Sequence, residues 1–294
     1  MNQVTNPVIT SLLVEELHVK SLVPKPTAMG TPLRYSSAFS CGRQQGYASL
    51  NVDPTEPMDT AGAWATGLGT IVHEALQEAI SRRFPSAQFE VPSMIGDFLS
   101  GSCDALIDIY DVGTNYGGTH VLYELKTMGT YGFDKQVGWN RLRGTVSAPQ
   151  GASAKAIAQA GMNALGIELA NPDIRIETLV MGSIGFEALS INKANNMGVS
   201  GVNRFLAEFE IPRVEWEPLA QGEIRRMEGF AFTLDTGFLP ERWAQDDDNK
   251  FMKLDPNGRA WQCDYCAYRS LCQDDGDGVI KISNSALTKR KASQ

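Results

Sequence analysis

Between Cys103 and Thr127 the chain reads C-D-A-L-I-D-I-Y-D-V, then a loop, then H-V-L-Y-E-L-K-T. The loop, 113–119, is G-T-N-Y-G-G-T, rich in residues that accept positive φ, so the stretch is predicted to be two β-strands joined by a turn. Side chains alternate along a strand, which puts Glu124 and Lys126 on one face and Tyr123 and Leu125 on the other. If the strands pair, Asp104 lies beside Glu124 and Lys126. Two carboxylates and an ammonium at the rim of a sheet suit a divalent cation with a cationic helper, the apparatus of phosphodiester hydrolysis. Asp108, on the same strand face as Asp104, reads as an outward-facing or helix-paired carboxylate, with a supporting role at the site as the alternative.

Around this hairpin the pattern is that of an α/β chain. Val72, Ala75, Leu76, Ala79 and Ile80 form one apolar stripe and predict a helix over 69–84, with His73 at the stripe's edge. The residues 128–149 read as irregular and carry Lys135, Arg141 and Arg143. A second helix is expected over 152–165, ended by Gly166, with Lys155 and Gln159 one turn apart on it. Residues 175–181 and 205–210 alternate like strands, and Pro218 is placed to open a third helix running to Leu234. A short helix within 8–22 is a weaker pattern.

The C-terminal end carries Cys263, Cys266 and Cys272, spaced C-x2-C-x5-C. Five cysteines in 294 residues are too few and too unevenly placed for a disulfide scaffold, so the triplet reads as metal-ligating. A fourth thiolate would come from Cys41 or Cys103. Cys103 faces away from the carboxylates like a core thiol, and Cys41, in a polar turn, is the better candidate. An iron–sulfur cluster and a structural Zn²⁺ are both compatible with four thiolates. Trp261, Tyr265 and Tyr268 would shield such a group or stack on bases.

The order Gly69-x-x-x-His73, Gly101-x-x-Asp104, Glu124-x-Lys126 and a helical Gln159 resembles the PD-(D/E)XK nuclease superfamily, in its RecB-like branch. Cys41 upstream with Cys263, Cys266 and Cys272 downstream resembles the iron–sulfur members of that branch, which include the AddB nuclease domain, the CRISPR-associated RecB-like exonucleases and bacteriophage relatives. The likeness spans about residues 34–272. Family members often carry Pro where this chain has Gly42, and an aromatic where it has Asn163.

The resemblance implies a restriction-endonuclease-like central mixed sheet flanked by helices, with the N- and C-terminal segments joined by a 4Fe–4S cluster at Cys41, Cys263, Cys266 and Cys272. It implies a domain over 33–273, between an extension at 1–32 and a flexible tail at 274–294. Asp104 and Glu124, with His73, would hold Mg²⁺ or Mn²⁺. Lys126 would orient the attacking water or offset charge on the phosphate, and Gln159, with Gln150 as its competitor, would complete the catalytic set. Lys135, Arg141, Arg143 and Lys155 are candidate DNA contacts. The expected activity is a DNA exonuclease on single strands or ends, with helicase, recombination or CRISPR proteins as partners. A non-cleaving DNA-binding or assembly subunit and a structure-specific endonuclease are the alternatives.

A net charge of −8 speaks against a general nucleic-acid coat but permits a groove in which cations gather. No run of about 18 apolar residues suggests a membrane span, and the start of the chain lacks a signal-peptide pattern, so a cytoplasmic protein of a bacterial or phage-infected cell is expected.

Overall fold

A computed structural model describes residues 32–56, 60–112, 116–242, 260–276 and 279–283. The helix expected within 8–22 and the Trp261 side chain lie outside the described residues, as do the acidic stretch 245–249 and the basic residues 289–291.

The chain is a mixed α/β fold with a six-stranded central sheet flanked by helices. Its strands are β1 (Leu33–Arg34), β2 (Gln88–Ile95), β3 (Leu99–Asp108), β4 (His120–Met128), β7 (Thr178–Gly185) and β8 (Leu206–Pro212), in the order β1-β3-β4-β7-β8 with β2 also on β3. A small separate hairpin holds β5 (Trp139–Asn140) and β6 (Thr145–Val146). The helices are α1 (Gly42–Ser49), α2 (Thr60–Arg83), α3 (Ile109–Val112), α4 (Thr130–Val137), α5 (Ala154–Ala170), α6 (Ile191–Asn196), α7 (Arg213–Asp235) and α8 (Arg269–Asp275). No described helix is long and apolar enough to cross a membrane.

The hairpin of the sequence reading forms: β3 and β4 pair antiparallel, Ala105 opposite Tyr123 through Asp108 opposite His120. Beyond that register they part. The edge of β3 that carries β4 from Ala105 onward carries β1, in parallel, at Leu99 and Ser100. Residues 101–104 therefore have no strand on that edge, and β4 leaves to pair in parallel with β7 along its length. The divergence opens a wedge at the C-terminal end of β4. β7 lies between β4 and β8, and its side chains are buried almost continuously rather than every second one.

A second irregularity lies on β2. Glu90 has φ of +48°, a left-handed conformation uncommon for a residue with a side chain. On one side of it Val91 and Cys103 pack into the main core with α5 and α7. On the other, Phe89, Ala105 and Ile107 pack with Leu76 and Ile80 of α2. The β2–β3 ribbon thus changes its inward-facing parity next to Asp104.

Several expectations need correction. The α2 helix begins at Thr60, not near Gly69. The stretch after β4 is not irregular: α4 forms there because Phe133 is fully buried against Gly185 and Trp139, and Gly138, at φ +75°, ends the helix. Pro218 lies inside α7, which starts five residues earlier at Arg213. Asp108 supports no site, since its carboxylate accepts from the Tyr110 amide at 2.9 Å at the start of α3. Residues 279–283, expected within a flexible tail, return to the end of α7, where Lys281 bridges Phe238 and Ile282 is buried.

Gly166 does not end its helix, for α5 runs on to Ala170. It is a point of close approach: a Cβ there would lie 2.7 Å from Tyr35 Oη and 3.0 Å from Ser93 Cβ. Gly166→Ala is expected to cost about 1–3 kcal/mol of stability by urea unfolding, because the Tyr35 ring is enclosed and cannot swing away. An unchanged midpoint would mean that this packing is looser than described.

Candidate active site

The wedge between β3 and the end of β4 is a polar cleft of about 330 Å³, lined by side chains that include His73, Glu90, Asp104, Glu124, Lys126 and Gln159. The unpaired edge of β3 explains how Asp104 is held. With no strand partner available at this point, the Leu125 amide donates to Asp104 Oδ2 at 2.6 Å, a side chain standing in for a ladder bond. The other oxygen, Oδ1, faces His73 Nδ1 on α2 at 3.3 Å. That contact raises the His73 pKa, against the opposing effect of burial.

Glu124 is 2% exposed. Its Oε1 accepts from Lys126 Nζ at 2.7 Å and from Gln159 Nε2 at 2.7 Å, while Lys126 also donates to Gln159 Oε1 at 3.1 Å. The second oxygen, Oε2, is buried with no hydrogen-bond partner. Burial pushes the Glu124 carboxyl up to about 7, with Lys126 pulling the other way. A buried carboxylate oxygen left unpartnered is costly, and a cation is a natural counterpart for it.

Asp104, Glu124, Lys126, Gln159 and His73 are therefore brought to one place. Gln150 is not: it precedes α5 and lines a different groove with Lys135 and Gln136, so Gln159 is the glutamine beside Glu124. Asn163, one turn further along α5, is buried and donates to the Ser102 carbonyl at 3.0 Å, tying α5 to β3. Among the candidate DNA contacts, Arg141 is not free to meet a phosphate. It is largely buried, its Nε lies 2.7 Å from both carboxylate oxygens of Asp134, and its Nη2 donates to the Glu187 carbonyl. Arg143 is exposed in the turn between β5 and β6, and Lys155 reaches Ser40 Oγ at 3.4 Å. Sequence reasoning missed Glu90, whose carboxylate accepts from Ser102 Oγ at 2.9 Å, and Arg34, Tyr35 and Ser36, which also line the cleft. Alternation in 88–95 marks the strand that carries Glu90, but nothing local marks it as a cleft residue.

Among the described residues no three His, Cys, Asp or Glu side chains close into a ready-made metal cage. The donor set nonetheless fits Mg²⁺ or Mn²⁺, which need only one or two carboxylates and complete their shells with water and substrate phosphate. The unpartnered Glu124 Oε2 is the observation behind that fit.

Cys41, Cys263, Cys266 and Cys272 line a second cavity together, all four as free thiols. Cys103 is fully buried in the main core, as expected. Burial pushes the Cys41 thiol up to about 11, although the Arg43 and Gln44 amides at the start of α1 favour its thiolate. Among the described residues these thiols line one cavity without closing into a metal cage, though sulfur is the donor type that iron–sulfur clusters and zinc take. The two ends also hold each other without any metal. Tyr47 Oη donates to Asp275 Oδ2 at 2.5 Å, the Tyr47 and Tyr268 rings meet at 5.3 Å, and buried Arg43 donates to the Gly276 carbonyl at 2.6 Å. Tyr265, by contrast, is 83% exposed. Tyr47→Phe is expected to lower the unfolding free energy by about 1.5–3 kcal/mol in urea titration, the size of one hydrogen bond to a charged group. No change would mean that the Tyr47–Asp275 bond is not part of the clasp.

No known family's sequence profile matches this chain, and no curated protein sequence matches it. Among solved structures, the crystal structure of SSO0001 is similar over 90% of this chain and 95% of its own, at 17% identity and a TM-score of 0.47.

Proposed function

We propose that the chain is a metal-dependent DNA exonuclease of the PD-(D/E)XK kind, built on a restriction-endonuclease-like sheet and carrying a 4Fe–4S cluster at its four clustered cysteines. The observation that carries the reading is the buried, unpartnered Glu124 Oε2 in one cleft with Asp104 and Lys126. Mg²⁺ or Mn²⁺, when bound, supplies Lewis acidity at the phosphate and activates the attacking water. Asp104 is fixed for that task by the Leu125 amide, and Glu124 by Lys126 and Gln159. Lys126, tethered to Glu124 and Gln159, keeps an ammonium where charge grows on the phosphate. Gln159 holds both partners in register from α5.

A cleft of about 330 Å³ is at the lower end of small-ligand sites, which supports one extended strand rather than an intact duplex in it. The test uses end-labelled linear single strands, blunt duplexes and circular single strands, each with Mn²⁺ or with EDTA. Cation-dependent loss of the linear strand with survival of the circle is the expected result. Cutting of the circle would make the protein an endonuclease, and binding without cutting would make it an assembly subunit.

A further inference from the structure

One segment, Leu33 to Cys41, reaches both cavities: Arg34, Tyr35 and Ser36 line the cleft and Cys41 lines the thiol cavity. Its place is fixed at several points. β1 pairs with β3, the Phe39 amide donates to buried Glu223 at 2.9 Å, and Arg226 donates to the Ser40 carbonyl at 3.1 Å. Phe39 holds a left-handed φ of +57° in the course of this. On the segment, Arg34 lines the cleft.

Arg34 differs from the arginines around the sheet that are held by carboxylates. Arg141, Arg175, Arg213 and Arg226 each pair with a carboxylate. Arg34 has no carboxylate partner among the described residues, and its one hydrogen bond there, to Ser100 Oγ, is long at 3.5 Å. It lies in register with Ser100, four residues before Asp104 on β3, about 13 Å along the strand at ~3.3 Å per residue. An arginine side chain spans part of that distance, so its guanidinium stands off the carboxylates at the same cleft. A rigid fork of donors without an anionic partner suits bidentate capture of a phosphate.

We propose that Arg34 grips the phosphate next to the one being cut, so that the substrate is a strand with at least one further phosphodiester on the β1 side of the cut. The inference rests on the nuclease reading above and adds to it a minimum substrate length and a direction of threading. The fixed segment makes the contact preformed: Arg34 is presented by paired backbone rather than by a loose loop.

The test is a cycle of protein and substrate changes. Three single-stranded oligonucleotides are compared: one unmodified, and two with an uncharged methylphosphonate on one or the other side of the first cut linkage. Release of the first labelled product is followed with Mn²⁺ for the full-length protein, Arg34→Ala and Arg34→Lys. Arg34→Ala is expected to lower kcat/KM on the unmodified strand about 10-fold or more, with Arg34→Lys between the two. In the unaltered protein one methylphosphonate should cause a similar loss, and in Arg34→Ala that same modification should cause almost no further loss. If the two losses multiply at both positions, or neither methylphosphonate matters to the unaltered protein, Arg34 does not hold a neighbouring phosphate. If the unaltered protein cuts none of the strands, the nuclease reading itself falls, and the Arg34 assignment with it.

Discussion

Asp104→Ala is expected to reduce Mn²⁺-dependent strand cleavage roughly 100- to 1,000-fold, the scale seen when an electrostatic group aimed at a transition state is lost. The fold should survive, since Asp104 lies at a polar rim and its main structural bond is the one from the Leu125 amide. Glu124→Gln should be equally inactive, but with a different effect on stability. The Glu124 pKa is raised in the folded protein, from the usual carboxylate range to about 7. The folded state therefore binds more protons than the unfolded state between those values, and the metal-free protein loses stability as pH rises through that window. The loss is on the order of 3 kcal/mol. Glu124→Gln removes the titrating group, leaves Lys126 partly exposed to water, and should melt higher than the unaltered protein at pH 8 in EDTA. Adding Mn²⁺ should reverse the order, because only the unaltered protein gains from cation binding. Cleavage surviving in either variant would remove these carboxylates from the mechanism.

Cys41→Ala is expected to abolish iron and sulfide retention in anaerobically purified protein and to lower the melting temperature by roughly 5–10 °C, the shift that 2–3 kcal/mol produces in a chain of this size. The reason is positional. Cys41 immediately precedes α1, while Cys272 is on α8 and Cys263 and Cys266 just before it, so a bound cluster ties two distant parts of the chain. The loss should stop short of unfolding, because the Tyr47–Asp275 and Arg43–Gly276 bonds remain. Full iron content in Cys41→Ala would mean that the fourth ligand is elsewhere. Zinc in place of iron in the unaltered protein would replace the cluster with a structural metal.

Much of the site was legible because it depends on local rules. Alternation in the hairpin placed Asp104 beside Glu124 and Lys126, and the spacing of Cys263, Cys266 and Cys272 marked the second cavity, whereas Gln159 came only from the family resemblance, with Gln150 as its rival. What escaped depends on long-range pairing. Arg34 enters the cleft only because β1 lies against β3 where β4 has left it, a neighbour 66 residues away. Glu90 enters through a left-handed turn of a strand, which alternation cannot foresee. Arg141 has the charge of a DNA contact, yet Asp134, seven residues earlier, claims it. Gly166 looked like a helix end, but its missing side chain makes room for Tyr35. Pro218 suits a first turn, yet its helix starts at Arg213 and carries it within.

The most direct test is an anomalous difference map from crystals of the unaltered protein grown with Mn²⁺. The expected result is a peak within metal–oxygen bonding distance, about 2.1 Å, of Glu124 Oε2 and of an Asp104 oxygen. A map with no peak in that cleft, at a Mn²⁺ concentration that supports cleavage, would contradict the account.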